Sequence, residues 1–212
     1  VSEVVADHIR QLVFFDQLRD GERVPQREIA AELGVSSVPV REALATLQGE
    51  GVVTIEPNRG AFVNGLDADV VTEQFYIFGR IYGFATRVVA ERGEADVVAA
   101  LADLAERIRT ERDLDTLLEL SIQFQLLIVE TGGSKRLRAL FTPLSRLVPG
   151  NFYVTIPDSA AVARRGVRDM AAAISAGRAE AAEQACWQLI DEIGRLVALR
   201  FRQRSDGTGT GA

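Results

Sequence analysis

The hydrophobic period of this chain changes twice, and those changes constrain its fold more than any other feature. Up to residue 48 apolar side chains recur at helical spacing; between residues 52 and 64 two short extended runs interrupt it; from Leu66 the helical spacing returns and persists almost to the end. A helical stripe needs neighbours three and four apart, a strand needs alternation, and one pattern cannot serve as the other. The fold class that follows is mainly α: a few short helices, one hairpin, then a long run of helices.

Val5, Ile9, Leu12 and Val13 form one apolar helical face. Asp20-Gly21-Glu22 breaks it, Pro25 marks a second helix start, and Ile29 with Leu33 gives a short second helix stopped by Gly34. Ser36 is a good N-cap for a third helix that tolerates Pro39 in its first turn. On that helix Val40, Ala43, Leu44 and Leu47 face inward, while Ser37, Val38, Arg41, Ala45 and Gln48 face out. The runs Val52 to Glu56 and Gly60 to Asn64, joined by Pro57-Asn58-Arg59-Gly60, make a β-hairpin. Residues 1–65 therefore read as a winged helix-turn-helix. That fold by itself leaves function open, because winged helices also serve as protein-interaction modules.

Residues 66–204 read as an antiparallel all-helical bundle. Its first long helix carries the stripe Val71, Phe75, Phe78, Tyr82, Ala85, Val89 and a second one, Ile77, Ile81, Phe84, Val88, so it is expected at the centre, covered over much of its circumference. Further helices are expected over about 94–110, 113–131, 134–147, 158–176 and 178–203, with Val148 to Pro157 as a longer connection. The Gly/Thr-rich end, residues 205–212, is expected to be a disordered tail.

Composition excludes several functions. Residues 1–65 hold six basic and ten acidic side chains, and the whole chain carries a net charge of -6, which argues against a nucleic-acid coat protein held by bulk attraction. The single histidine, His8, removes His-rich zinc chemistry, and no G-x-S-x-G elbow accompanies it. Gly132-Gly133-Ser134-Lys135 lacks the spacing of a phosphate loop and reads as a helix–helix turn. Lone Cys186 lies in an apolar helical stripe and reads as core. With no nucleophile set, metal set or cofactor loop, the chain is read as a non-enzyme without cofactors. Lacking a membrane-length apolar run, it is expected to be cytoplasmic.

The ordered run Gly21 to Ala30, Leu33-Gly34-Val35-Ser36, Pro39 to Leu44, Leu47, Gly51 and Asn58-Arg59-Gly60-Ala61-Phe62-Val63 resembles the GntR family of bacterial transcription regulators. The remainder resembles the helical effector half of the FadR subfamily, through Phe124, Thr131-Gly132-Gly133, Leu137 and Ala173-Ile174-Ser175-Ala176-Gly177. The resemblance implies a homodimer whose winged domains read a two-fold site on double-stranded DNA, and whose helical domains bind a small effector. The alternative is a winged-helix dimer used for protein interaction or ligand-insensitive regulation.

On this reading the DNA-binding residues are Arg27, Ser36, Ser37, Val38, Arg41, Asn58, Arg59 and Gly60. Guanidinium groups suit phosphates and guanine edges, and the start of the third helix offers backbone N–H donors to phosphate. The family pattern has arginine and threonine where this chain has Ser37 and Val38, so a different operator is implied, with Val38 able to touch a thymine methyl.

Many members of the subfamily hold a divalent metal through an Asp and three His; here the corresponding positions are Ser121, Gln125, Val167 and Leu189. An Arg that often binds the effector's carboxylate falls at Phe78, and a nearby acidic position at Tyr82. Helical spacing places Leu114, Leu118, Ser121, Gln125 and Ile128 on one face, Val167, Met170 and Ile174 on a second, and Cys186, Leu189 and Ile193 on a third. Two readings stay open: a repacked core, or a metal-free, largely apolar site lined by Phe78, Tyr82, Ser121, Gln125, Val167, Met170 and Leu189 that accepts an acyl-like or aromatic molecule.

Overall fold

The computed structural model describes residues 1–207, and its chain divides into two compact units. The first comprises Val1–Leu66 together with Leu147–Gly150; the second comprises Asp67–Arg146 and the chain from Asn151 onward.

In the first unit α1 (Ser2–Phe14), α2 (Gln26–Glu32) and α3 (Ser37–Gly49) precede the antiparallel pair β1 (Val53–Glu56) and β2 (Gly60–Val63). The register pairs Val53 with Val63 and Glu56 with Gly60, and Arg23 adds an isolated bridge to Phe62 on the other edge of β2. Val5, Ile9, Ile29, Leu44, Leu47 and Val63 meet in one core. Burying a side chain of this size is worth about 1.5–3 kcal/mol. The four inward positions expected on α3 are all buried.

The second unit consists of α4 (Ala68–Arg92), α5 (Ala95–Thr110), α6 (Leu114–Gly132), α7 (Lys135–Leu144), α8 (Phe152–Thr155), α9 (Ser159–Ser175) and α10 (Ala179–Gly207). α4 packs against α6, α7, α9 and α10. Two glycines set how closely. A β carbon on Gly83 would overlap the Trp187 indole of α10, and one on Gly132 would overlap the Ala85 carbonyl of α4.

The structure corrects the sequence reading in four places. The second stripe of α4 is not covered: Phe84 is 51% exposed and Ile77 40%, while Ile81 and Val88 are half-buried. On α6 the buried face is Leu117, Leu120, Phe124 and Ile128, so Leu114, Leu118, Ser121 and Gln125 lie at its half-buried margin. The connection 148–157 contains the one-turn helix α8. Finally, α10 continues to Gly207, so residues 205–207 are helical rather than part of a tail; the rest of that expected tail, 208–212, lies outside the described residues.

Candidate nucleic-acid interface and effector site

The residues expected to face DNA lie on three elements of the first unit. Arg27 is exposed in the first turn of α2, and Ser36, Ser37, Val38 and Arg41 are exposed at the start of α3, with Val38 at 51%. Ser36 occupies the cap position of α3, yet its side chain makes no capping hydrogen bond. Among the described residues Arg27 and Arg41 carry neither an ion pair nor a side-chain hydrogen bond. At the hairpin tip Asn58 takes a left-handed φ of 60° and Gly60 one of 112°, a turn that brings Arg59 out to 70% side-chain exposure. Arg59 pairs with Glu56 and lies 5.4 Å from the centre of the Phe62 ring.

Of the remaining arginines of this unit, Arg10 and Arg23 pack against distant parts of the fold, whereas Arg19 stays 67% exposed. Arg10 is 5% exposed and grips Glu50 through two bonds of 2.9 and 2.8 Å, with Glu3 and Asp7 beside it. Burial opposes its charge, but the hydrogen bonds and field of Glu50, then of Glu3 and Asp7, prevail and raise its pKa. Arg23 lies against Gly60, where an added β carbon would come within 2.8 Å of its Nε. Arg19 joins Asp16 at 3.7 Å. Sequence spacing offered no sign of the Arg10–Glu50 pair or of the Arg23–Gly60 contact, which join residues 40 and 37 apart.

In the helical unit Phe78 and Tyr82, one turn apart on α4, stack at 6.0 Å, and Phe141 of α7 completes a trio at 5.1 and 5.8 Å from them. The Ser121 hydroxyl donates to the Leu117 carbonyl at 2.8 Å and accepts from the Tyr153 hydroxyl at 2.8 Å. Asn151 anchors that segment, its amide donating to the Leu114 carbonyl at 2.8 Å and the Asp115 carboxylate at 2.7 Å. Gln125 is half-buried one turn after Ser121. Val167 and Met170 are buried on α9, and Leu189 on α10 packs over Gly166. Phe141 and Tyr153 were not anticipated. Phe141 is the one buried residue of α7, and Tyr153 belongs to a segment without periodic signal.

This interior holds its hydroxyl and thiol groups neutral. Burial pushes the Tyr153 phenol up to about 12, against weaker opposing pulls from Ser121 and Arg164. It lifts Tyr82 well above its usual value, with Cys186 and Tyr153 adding to the rise. The Cys186 thiol is also raised by burial; Thr86 hydrogen-bonds it, and the Thr86 hydroxyl donates to the Tyr82 carbonyl at 2.9 Å. A metal does not fit the four family positions. Val167 and Leu189 have no donor atom, and the Ser121 oxygen is already engaged by Leu117 and Tyr153. Among the described residues no three His, Cys, Asp or Glu side chains converge.

Comparison with known proteins fits this division. The family model described as bacterial regulatory proteins, gntR family, matches residues 1–63, and the FCD domain model matches residues 80–192. An uncharacterized HTH-type transcriptional regulator of Mycobacterium tuberculosis is 30% identical over 204 residues, which is 96% of this chain and 83% of that protein. Among solved structures, E. coli McbR/YncC superposes with a TM-score of 0.68 at 19% identity, covering 94% of this chain and 98% of that one. A putative GntR transcriptional regulator from Rhodococcus sp. RHA1 gives a TM-score of 0.58 at 25% identity, with 92% and 96% covered.

Proposed function

The chain belongs to the GntR family of bacterial transcription regulators and carries an FCD effector-binding domain, and from that premise we propose that it is a repressor which a small-molecule effector releases from a two-fold operator. It is a regulator and not an enzyme: GntR regulators bind DNA and FCD domains bind small-molecule effectors. No described helix is long and apolar enough to cross a membrane, and we assign the protein to the cytoplasm, where its operator lies.

The observation that carries this reading is the open face of α3. Ser37, Val38 and Arg41 are exposed together there, behind a buried row that fixes their orientation, and Arg41 has no ion partner among the described residues. Arg41 reads a base edge or phosphate, Val38 a thymine methyl, and the unused Ser36 cap leaves the first N–H groups of α3 free for a phosphate. Arg27 and the wing residues Asn58, Arg59 and Gly60 hold the flanking backbone. Homodimer formation is supported by the uncovered apolar residues Ile77 and Phe84 of α4 and Ile122 and Leu126 of α6, each at least 40% exposed.

The effector site is formed by Phe78, Tyr82, Ser121, Gln125, Val167, Met170 and Leu189, now joined by Phe141 and Tyr153. It is metal-free and largely apolar. An effector acts if it binds one arrangement of the winged domains better than another.

A gel-shift titration on the chain's own promoter fragment, in about 150 mM salt with excess nonspecific DNA, tests the DNA reading. Wild type should be retained, and Arg41→Ala should lose about 10- to 100-fold in affinity, the range of one lost bidentate contact. Equal binding by Arg41→Ala would overturn the docking of α3. Failure of wild type to bind would favour the protein-interaction module. Stoichiometric zinc in native mass spectra of the purified dimer would overturn the metal-free site.

A further inference from the structure

We propose that Tyr153 is the polar donor of the effector site, occupied by Ser121 until a ligand arrives, and that its phenol receives an uncharged carbonyl, amide or hydroxyl group of a ligand whose apolar part lies on the Phe78, Tyr82 and Phe141 rings. This rests on the effector reading above and adds the recognising residue and the ligand class.

Tyr153 is held for this task. Its segment is pinned to the start of α6 by the two Asn151 amide bonds, and the Asn151 side-chain oxygen accepts from the Tyr153 backbone N–H at 3.0 Å. The phenol is thereby directed to Ser121 from 32 residues away. Ser121 has already given its own proton to Leu117, so toward Tyr153 it only accepts. The Tyr153 bond is therefore exchangeable. An incoming ligand oxygen takes the phenol proton, Ser121 keeps its backbone bond, and no buried polar group is left without a partner.

The surroundings select against charge. Among the described residues of the helical unit no charged side chain is buried; the buried polar residues are Thr86 and Ser159, each donating to a backbone carbonyl. Two half-buried cations flank the Tyr153 segment: Arg164 donates to the Glu111 carbonyl at 2.8 Å and Arg200 to the Thr155 carbonyl at 3.3 Å. A carboxylate entering here would lose its hydration and meet only guanidiniums already engaged by backbone carbonyls, whereas a neutral group needs one donor and finds it. Burial keeps that donor protonated throughout the physiological range.

Matched probes test this on the full-length chain: acetophenone against benzoate, and octanamide against octanoate, followed by ligand-observed saturation-transfer NMR and by thermal shift. The neutral member of each pair should bind saturably and at least about tenfold more tightly than its carboxylate. Tyr153→Phe should erase about tenfold of the neutral probes' affinity. Ser121→Ala should tighten it, because the phenol loses its internal competitor. Equal or tighter binding of the carboxylates, or unchanged neutral binding in Tyr153→Phe, would overturn the proposal while leaving an effector site in place. If no probe of either charge binds, the site is filled by its own side chains and the effector reading falls with it. Should Tyr153→Phe not fold, the Ser121→Ala result decides: a tenfold loss there is incompatible with an exchangeable bond.

Discussion

The helices of the winged unit start without side-chain caps, whereas four helices of the bundle start under one. Asp67 accepts from the Asp69 and Val70 N–H groups at 2.9 and 2.8 Å, Asp113 from Thr116 at 2.8 Å, Ser134 from Leu137 at 3.2 Å and Asn151 from Tyr153 at 3.0 Å. In the winged unit Val1, Pro25 and Ser36 make no such bond. Two bundle helices, α5 and α9, also lack one, so capping does not simply track the unit. What distinguishes α3 is that a good capping residue is present and unused. Polar groups in the bundle close on one another, while those of α3 stay available to a partner.

Arg10 is the exception within the winged unit, and it gives the largest expected effect. Arg10→Ala leaves Glu50, 11% exposed, without its main counter-charge and should cost about 3 kcal/mol, measured by urea unfolding. The double variant Arg10→Met, Glu50→Leu should recover much of that loss, since two well-packed apolar residues replace a buried pair with little penalty. If Arg10→Ala instead weakened operator binding at unchanged stability, Arg10 would belong with Arg41 among the open residues, and the distinction between closed and open arginines would fail.

How much of this was legible in the sequence differs between the units for a physical reason. The inward row Val40, Ala43, Leu44, Leu47 on α3 stands beside a polar outer face, so only one orientation buries the apolar set, and the outward residues follow by geometry. α6 offers no such contrast. Ile122 and Leu126 are exposed at 43% and 45% while Leu117, Leu120 and Phe124 are buried, and periodicity placed Ser121 and Gln125 inside when they stand at the margin. The same ambiguity put Phe84 of α4 under cover. Tyr153 was out of reach for another reason. It depends on a one-turn helix whose partners on α6 are more than 30 residues distant, and no local spacing encodes such a contact.

A pair of cap deletions sharpens the contrast at a smaller scale. Asp67→Ala removes an acceptor from two N–H groups and should destabilise the bundle by about 1 kcal/mol. Ser36→Ala removes a hydroxyl with no capping bond and should change stability by less than about 0.5 kcal/mol, while lowering operator affinity in the gel-shift assay. A loss of stability in Ser36→Ala equal to that in Asp67→Ala would mean that Ser36 caps α3 in solution, and the open helix start would lose its support.

The smallest effect is one of pH, and it should be confined to the capped unit. Hydrogen bonding from the Thr116 N–H lowers the Asp113 pKa below its ordinary value. A carboxylate depressed in the folded state stabilises that state fully above its unfolded pKa of about 4, and the contribution is lost as pH falls through the lower folded value. Asp113→Ala should therefore be less stable than wild type at neutral pH, and the gap should close in acid. Hydrogen exchange places the effect: with Asp113 intact, protection in the first turn of α6 should fall below about pH 4, and in Asp113→Ala that acid-dependent step should be absent. The first turn of α3 has no capping carboxylate, so Ser36→Ala should leave the pH dependence of its protection unchanged in shape. A change in that profile in Ser36→Ala as large as the one in Asp113→Ala would mean that the two helix starts share an acid-sensitive support, and the contrast between them would not hold.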